Sequence, residues 1–151
     1  MEYLLDINIL LIYARGNTLT TKIEEELQLL TGDNQLIISV VSVGEIKALA
    51  LKNNWGERRI EQLNRLLSSF LVADIHVKSI TDRYAEIDAY SQGKHPDKKG
   101  NFSARNMGKN DLWIAATGSV LQVVLITTDS DFDHLEGPYI KLKKIDLGKY
   151  Q

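Results

Sequence analysis

Four acidic residues are the side chains best placed to do chemistry, because each stands where an apolar run ends or a helix is predicted to begin. They are Asp6 in Tyr-Leu-Leu-Asp-Ile-Asn, Glu45 in Ser-Val-Gly-Glu-Ile, Asp111 in Lys-Asn-Asp-Leu-Trp-Ile-Ala-Ala and Asp129 in Leu-Ile-Thr-Thr-Asp-Ser-Asp-Phe. In one pocket such carboxylates repel one another, by about 3 kcal/mol for two charges about 6 Å apart at an effective dielectric of roughly 20. Some must then stay protonated, or a hard cation must lie among them, and oxygen ligands suit magnesium or manganese. The pattern therefore favours metal-assisted phosphodiester chemistry.

Each acid also has a purely structural interpretation at the start of a helix. Asp6 can cap the helix that follows it, and Ser42 with Glu45 fits a capping box, which taken alone is the stronger interpretation of that glutamate. Asp111 and Asp129 stand at predicted helix starts, where a carboxylate caps or favours the helix dipole.

Further polar residues lie close to these four in the sequence. Asn8 and Thr127 can hydrogen-bond a carboxylate or a metal-bound water, although structural roles explain them equally well. Asp131 and Asp133 flank the fourth acid and are predicted to be capping or solvent-facing groups, Asp131 being the better contributor to a site. The Glu24-Glu25-Glu26 run is predicted to be solvated surface.

Apolar runs and helical periodicity alternate along the chain and predict five strands and five or six helices. The predicted strands are Tyr3–Leu5, Leu36–Val41, Ala73–Val77, Val123–Thr127 and Tyr139–Ile145. The predicted helices are Thr21–Leu30, Ser42–Lys52, Glu57–Leu71, Ser79–Ser91 and Asp111–Leu121, preceded by Ile7–Ala14, which is predicted to be an apolar turn or a helix. This alternation predicts a three-layer α/β/α sandwich with a mostly parallel central sheet, in one domain over residues 1–151. Ligands of such sheets bind beyond the carboxyl ends of the strands, so the acids that follow strands are expected to converge there.

The connection Gln92–Lys109 has no apolar period and is rich in basic residues. Its basic side chains are Lys94, Lys98, Lys99, Arg105 and Lys109, with His95, against the single acid Asp97. Such a segment can form a basic lip that attracts phosphates to an acidic centre. A merely solvated charged loop is an equally good interpretation.

Composition excludes several other classes of protein. The 151 residues are 44% hydrophobic and 25% charged, with a net charge of −2, so a strongly basic polyanion binder is excluded. The chain has no cysteine, which rules out disulfides and thiol catalysis. It has no HExxH pair, nucleophile elbow, Walker A loop or GxGxxG motif. No apolar run approaches a membrane span, and the N-terminus does not resemble a signal peptide, so we expect a cytoplasmic protein.

These four acidic segments, in this order, resemble those of PIN-domain nucleases, most closely the VapC-type toxins of toxin–antitoxin pairs. The resemblance is carried by Leu-Leu-Asp6-Ile-Asn8, Ser42-Val-Gly-Glu45, Asn110-Asp111-Leu-Trp-Ile-Ala-Ala and Thr127-Thr128-Asp129-Ser-Asp-Phe, and it covers nearly the whole chain. The connection Gln92–Lys109 is longer and more basic than in compact members of the family.

The resemblance implies an endoribonuclease that uses Mg²⁺ or Mn²⁺ and cleaves structured RNA such as tRNA or rRNA. Asp6, Glu45, Asp111 and Asp129 then correspond to the family's catalytic and metal-binding acids, and the basic side chains of the connection are predicted to bind RNA. A homodimer and a small antitoxin partner are also implied.

Two other functions are compatible with the residues. An aspartate-nucleophile phosphotransferase also has an aspartate after its first strand, but it needs a second one two residues on, where this chain has Asn8. A PIN-like module that binds RNA or protein without cutting is the second alternative.

Overall fold

The computed structural model describes all 151 residues and contains a single five-stranded sheet. The strands are β1 (Glu2–Leu5), β2 (Gln35–Ser39), β3 (Leu71–Ala73), β4 (Val124–Thr127) and β5 (Lys141–Lys144). The helices are α1 (Ile7–Arg15), α2 (Thr18–Leu27), α3 (Val40–Lys52), α4 (Glu57–Ser68), α5 (Lys78–Ser91) and α6 (Lys109–Leu121), followed by 3-10 helices at Ser130–Leu135 and Leu147–Tyr150. All neighbouring strands are parallel, in the order β3-β2-β1-β4-β5.

The sheet has helices on both faces, because successive strand residues point to opposite sides. Leu4 packs in a buried cluster with residues of α5 and α6. Leu5 packs in a second cluster with residues of α1, α2, α3 and α4. The predicted three-layer α/β/α sandwich is therefore confirmed, and its sheet is entirely parallel. None of the helices is long and apolar enough to cross a membrane.

Helix α3 begins two residues earlier than predicted. Strand β2 ends at Ser39, whose side chain accepts a 3.1 Å hydrogen bond from the backbone N–H of Val41 and so caps the helix. Ser42 lies inside the helix, which means that the capping-box interpretation of Ser42 and Glu45 is wrong. The side chain of Glu45 is thus free of that structural role.

Helix α2 and strand β3 are also displaced from their predicted ranges. Asn17 and Thr20 form a capping box that starts α2 at Thr18, three residues before the predicted start. Strand β3 begins at Leu71, directly after Phe70, which is buried in the core. The predicted range is Ala73–Val77, whereas in the structure Leu71–Ala73 pair with Ile37–Ser39 of β2 and the strand ends at Ala73.

The prediction that Glu24 is solvated surface is wrong. Its carboxylate accepts hydrogen bonds from the Tyr13 hydroxyl at 2.7 Å and from the backbone N–H groups of Leu30 and Thr31 at 3.0 and 2.7 Å. Glu24 therefore connects the turn that follows α2 with helix α1. Its neighbour Glu25 is exposed.

Candidate metal centre

Asp6 lies at the carboxyl end of β1 and is almost completely buried, with 1% of its surface exposed. Its Oδ1 accepts a 2.8 Å hydrogen bond from the N–H of Ile7, so Asp6 does cap α1 as the alternative interpretation proposed. Its Oδ2 accepts a 2.6 Å bond from the hydroxyl of Thr127. Burial raises the pKa of Asp6, the two hydrogen bonds oppose that shift, and the charges of Asp129 and Asp131 add to it.

Thr127 connects Asp6 to the other acids at this edge of the sheet. It is the last residue of β4 and is fully buried. While its hydroxyl donates to Asp6, the same oxygen accepts a 3.0 Å hydrogen bond from the N–H of Asp129. Asp129 in turn caps the 3-10 helix, its Oδ1 accepting from the N–H of Asp131 at 2.9 Å. One continuous chain of hydrogen bonds thus orders Asp6, Asp129 and Asp131.

Glu45 and Asn8 each present a buried oxygen that has no hydrogen-bond partner. These atoms are Oε1 of Glu45 and Oδ1 of Asn8. Burial raises the pKa of Glu45, the Asn110 side chain opposes the shift, and the nearby charge of Asp6 adds to it. Buried acceptors are almost always paired in folded proteins, so the unpaired Oε1 of Glu45 is an oxygen that a cation or its water can satisfy.

Asp111 lies in the first turn of α6 and is the most perturbed carboxylate of the group. Burial, followed by the charges of Asp6, Asp129, Asp131 and Glu45, raises its pKa to about 7. Because all four neighbouring acids act on Asp111, the structure brings the four sequence-predicted acids together. A fifth acid, Asp131, joins them.

The acidic group contains no internal counterion. The ion pairs of the protein use other acids: Asp74, Asp82, Glu86, Asp133 and Glu26. Carboxylate oxygens of Asp111, Asp129 and Asp131 all lie within 4.8 Å of one another. Oxygen ligands at this spacing, on a site with excess negative charge, fit a hard divalent cation such as Mg²⁺ or Mn²⁺. Asp131 was absent from the predicted set of ligands, and its only sequence signal is the Asp-x-Asp spacing with Asp129.

The structure separates the basic residues of the connection between α5 and α6. Arg105 lines a cleft together with Asp131, and Lys109 is the first residue of α6, two positions before Asp111. Lys98 lies with its Nζ 4.7 Å from the centre of the Tyr139 ring. No hydrogen bond or ion pair joins Lys94, Lys98 or Lys99 to the acidic group. Of these basic residues, only Arg105 shares a cleft with an acid of the centre, and RNA binding by the basic residues of the connection stays a prediction.

A model of the PIN domain family matches residues 3–138. With this fold and this acidic centre, the chain belongs to the PIN domain family, as the sequence resemblance predicted.

Several solved structures share the fold. VapBC2 from Rickettsia felis bound to a DNA fragment from its promoter is similar with a TM-score of 0.76 and 23% identity, covering 97% of this chain and 100% of that chain. VapBC-1 from nontypeable Haemophilus influenzae has a TM-score of 0.67 and 24% identity, covering 95% and 98%. FitAcB from Neisseria gonorrhoeae has a TM-score of 0.66 and 19% identity, covering 93% and 95%. Comparison with curated proteins gave no match.

Proposed function

We propose that this PIN-domain protein is a metal-dependent endoribonuclease, the toxin of a toxin–antitoxin pair, which cleaves structured RNA such as tRNA or rRNA. The observation that carries the proposal is the group of five carboxylates without a counterion, in which the pKa of Asp111 is raised to about 7. Asp6 is buried, Glu45, Asp111 and Asp129 are half-buried, and Asp131 is exposed. Helix capping accounts for Asp6 and Asp129 but not for the proximity of five carboxylates, whose mutual repulsion a bound cation offsets.

In this proposal Asp111, Asp129 and Asp131 hold a Mg²⁺ or Mn²⁺ ion, and Asp6 and Glu45 complete the catalytic group. When bound, such an ion polarises a phosphate oxygen and lowers the pKa of an attacking water. Thr127 and the N–H of Ile7 keep the Asp6 carboxylate in one orientation. The unpaired Oε1 of Glu45 is available to accept a hydrogen bond from the attacking water, and Asn8 presents a further acceptor.

The proposal includes a small antitoxin as the inhibitory partner, a homodimer as the assembly, and the cytoplasm as the site of action. Support for the partner comes from the similar solved structures, which are VapBC and FitAB-type complexes. At 19–24% identity these structures share the fold, so the partner of this chain is inferred from them by analogy.

The test is cleavage of total cellular RNA by purified protein that has been freed of any partner. We expect discrete fragments with Mn²⁺ and none with EDTA or with the Asp6→Asn/Asp111→Asn variant. Asp133→Asn is the control, because Asp133 lies in the 3-10 helix that contains Asp131 but pairs with Lys144. Equal cleavage by wild type and the double variant would refute the assignment. Metal-independent RNA binding without cleavage would favour a PIN-like binding module.

A further inference from the structure

A cleft of about 300 Å³ lies beside the carboxylate centre, between the connection that precedes α6 and the 3-10 helix Ser130–Leu135. It is lined by Ser103, Ala104, Arg105, Asn106, Met107 and Asp131. Its volume is at the small end of the roughly 300–1,000 Å³ range of ligand sites, a size suited to a single nucleotide unit. The two walls differ in charge, because one contains Arg105 and the other contains Asp131.

Asp131 links this cleft directly to the candidate metal centre. Its carboxylate belongs to the group of oxygens within 4.8 Å that also includes Asp111 and Asp129. A polymer with a phosphate at that group therefore has space for a neighbouring unit in the cleft beside Asp131. The cleft is where that neighbouring unit fits.

The wall formed by residues 103–107 is anchored to the protein core. The N–H of Arg105 donates a 2.8 Å hydrogen bond to the carbonyl of Ser91 at the end of α5. The Ser91 hydroxyl contacts the sulfur of the buried Met107 at 3.3 Å and Nε2 of His134 at 2.7 Å. The ring of Phe102 lies 4.8 Å from the ring of His134. Ser91 contacts one wall through Arg105 and Met107 and the other through His134. The cleft is therefore preorganised and does not need to form on binding.

We propose that this cleft binds the nucleotide adjacent to the scissile phosphate of an RNA substrate. Arg105 contacts the backbone phosphate of that nucleotide, since its planar guanidinium matches phosphate geometry. Asn106 and Ser103 supply the amide and hydroxyl groups that hydrogen-bond a base edge. This inference rests on the proposed function, which it extends by naming the residues that select the cleavage position.

The test is equilibrium binding of fluorescein-labelled single-stranded RNA tetranucleotides to protein that carries Asp111→Asn, a background chosen to prevent cleavage. We expect Arg105→Ala on that background to weaken binding about tenfold or more, because a charge-assisted hydrogen bond is lost. Arg58→Ala is the matched control, since Arg58 is an exposed arginine on α4, and it should leave affinity within about twofold. Arg105→Gln, which retains more of the half-buried side chain, replaces Arg105→Ala if circular dichroism shows that the alanine variant does not fold.

The second measurement addresses base selection. Asn106→Ala should reduce the differences in affinity among tetranucleotides that differ at one base. The affinity of the most weakly bound tetranucleotide should change little. Equal losses for the Arg105 and Arg58 variants, or no binding of any tetranucleotide, would overturn the cleft assignment. RNA cleavage that does not depend on Arg105 would support the nuclease function and contradict the proposed role of the cleft. Arg105-dependent binding without any cleavage by the wild-type protein would support the proposed role of the cleft and contradict the nuclease function.

Discussion

The Thr127 hydroxyl donates a 2.6 Å hydrogen bond to Oδ2 of Asp6, and this bond joins residues 121 positions apart in the chain. The contact follows from the sheet, because Leu5, the last residue of β1, is paired with Ile126 of β4. Asp6 and Thr127 are the residues that follow this pair in the chain. Since a buried carboxylate needs such donors, Thr127 and the N–H of Ile7 together keep Asp6 ordered.

Replacing Thr127 with valine should destabilise the protein by about 1–3 kcal/mol, because the isosteric side chain leaves a buried carboxylate oxygen unpaired. The loss also removes a bond that lowers the pKa of Asp6, so that pKa should rise further. Urea unfolding at pH 7 measures the first effect. Thr18→Val, at an exposed position, is the control and should change stability by less than about 0.5 kcal/mol. Equal effects of the two substitutions would contradict the assigned role.

Without a divalent cation, stability should fall as the pH rises from about 4 to above 7. The pKa of Asp111 is raised from 3.8 to about 7 in the folded protein, so the folded state holds a proton that the unfolded state has already lost. Stability is highest below the unfolded pKa and declines as Asp111 ionises. Asp111→Asn should reduce this slope, to which the raised pKa values of Asp6 and Glu45 also contribute. It should stabilise the metal-free protein at pH 8 by on the order of 1 kcal/mol, since solvent screening reduces the full effect. Chemical unfolding at several pH values in EDTA provides the measurement. A slope unchanged by Asp111→Asn would show that another group is responsible.

Mn²⁺ should raise the melting temperature of the wild-type protein without any RNA present. At a concentration of about one hundred times Kd, binding contributes about 2.7 kcal/mol, which corresponds to roughly 5–10 °C for a domain of this size. Asp131→Asn should reduce the shift, because it removes one of three clustered ligands. Asp133→Asn, two residues further along the same helix, should not. Differential scanning calorimetry with and without Mn²⁺ decides the matter, and identical shifts for both variants would exclude Asp131 as a ligand.

Glu24→Gln should cost about 1–2 kcal/mol of stability at pH 7, whereas Glu25→Gln should be nearly neutral. Burial tends to raise the pKa of Glu24, but hydrogen bonds from Tyr13, Leu30 and Thr31 outweigh it and lower the pKa overall. The stability that Glu24 contributes is therefore present above the ordinary carboxyl pKa and is lost as the pH falls through the lowered value. Urea unfolding of the two variants at pH 7 and pH 3 tests this, and the difference between them should shrink at the lower pH. A difference that persists at pH 3 would argue against an ionic role.

The sequence was most informative where a residue follows a strand. Asp6 and Asp129 come after apolar runs, and the parallel order of the strands brings both to one edge of the sheet, as the alternating pattern predicted. At Glu45 the alternative interpretation is the one that fails, because Ser42 and Glu45 match a capping box while the helix starts at Val40. Local capping signals report on the residues nearby, but the start of a helix also depends on where the preceding strand stops pairing.

The amino-acid sequence by itself determined the α/β class, the alternation of elements and the family, since these depend on apolar periodicity and on short motifs. Only the tertiary structure decided which charges act together. Asp131 and Glu24 both stand in acidic runs that are predicted to face solvent. Asp131 is exposed but lies beside Asp111 and Asp129, and Glu24 anchors the turn after α2. The physical reason is that the pKa and the partners of a carboxylate depend on burial and on neighbours within a few ångströms, and those neighbours come from distant parts of the chain.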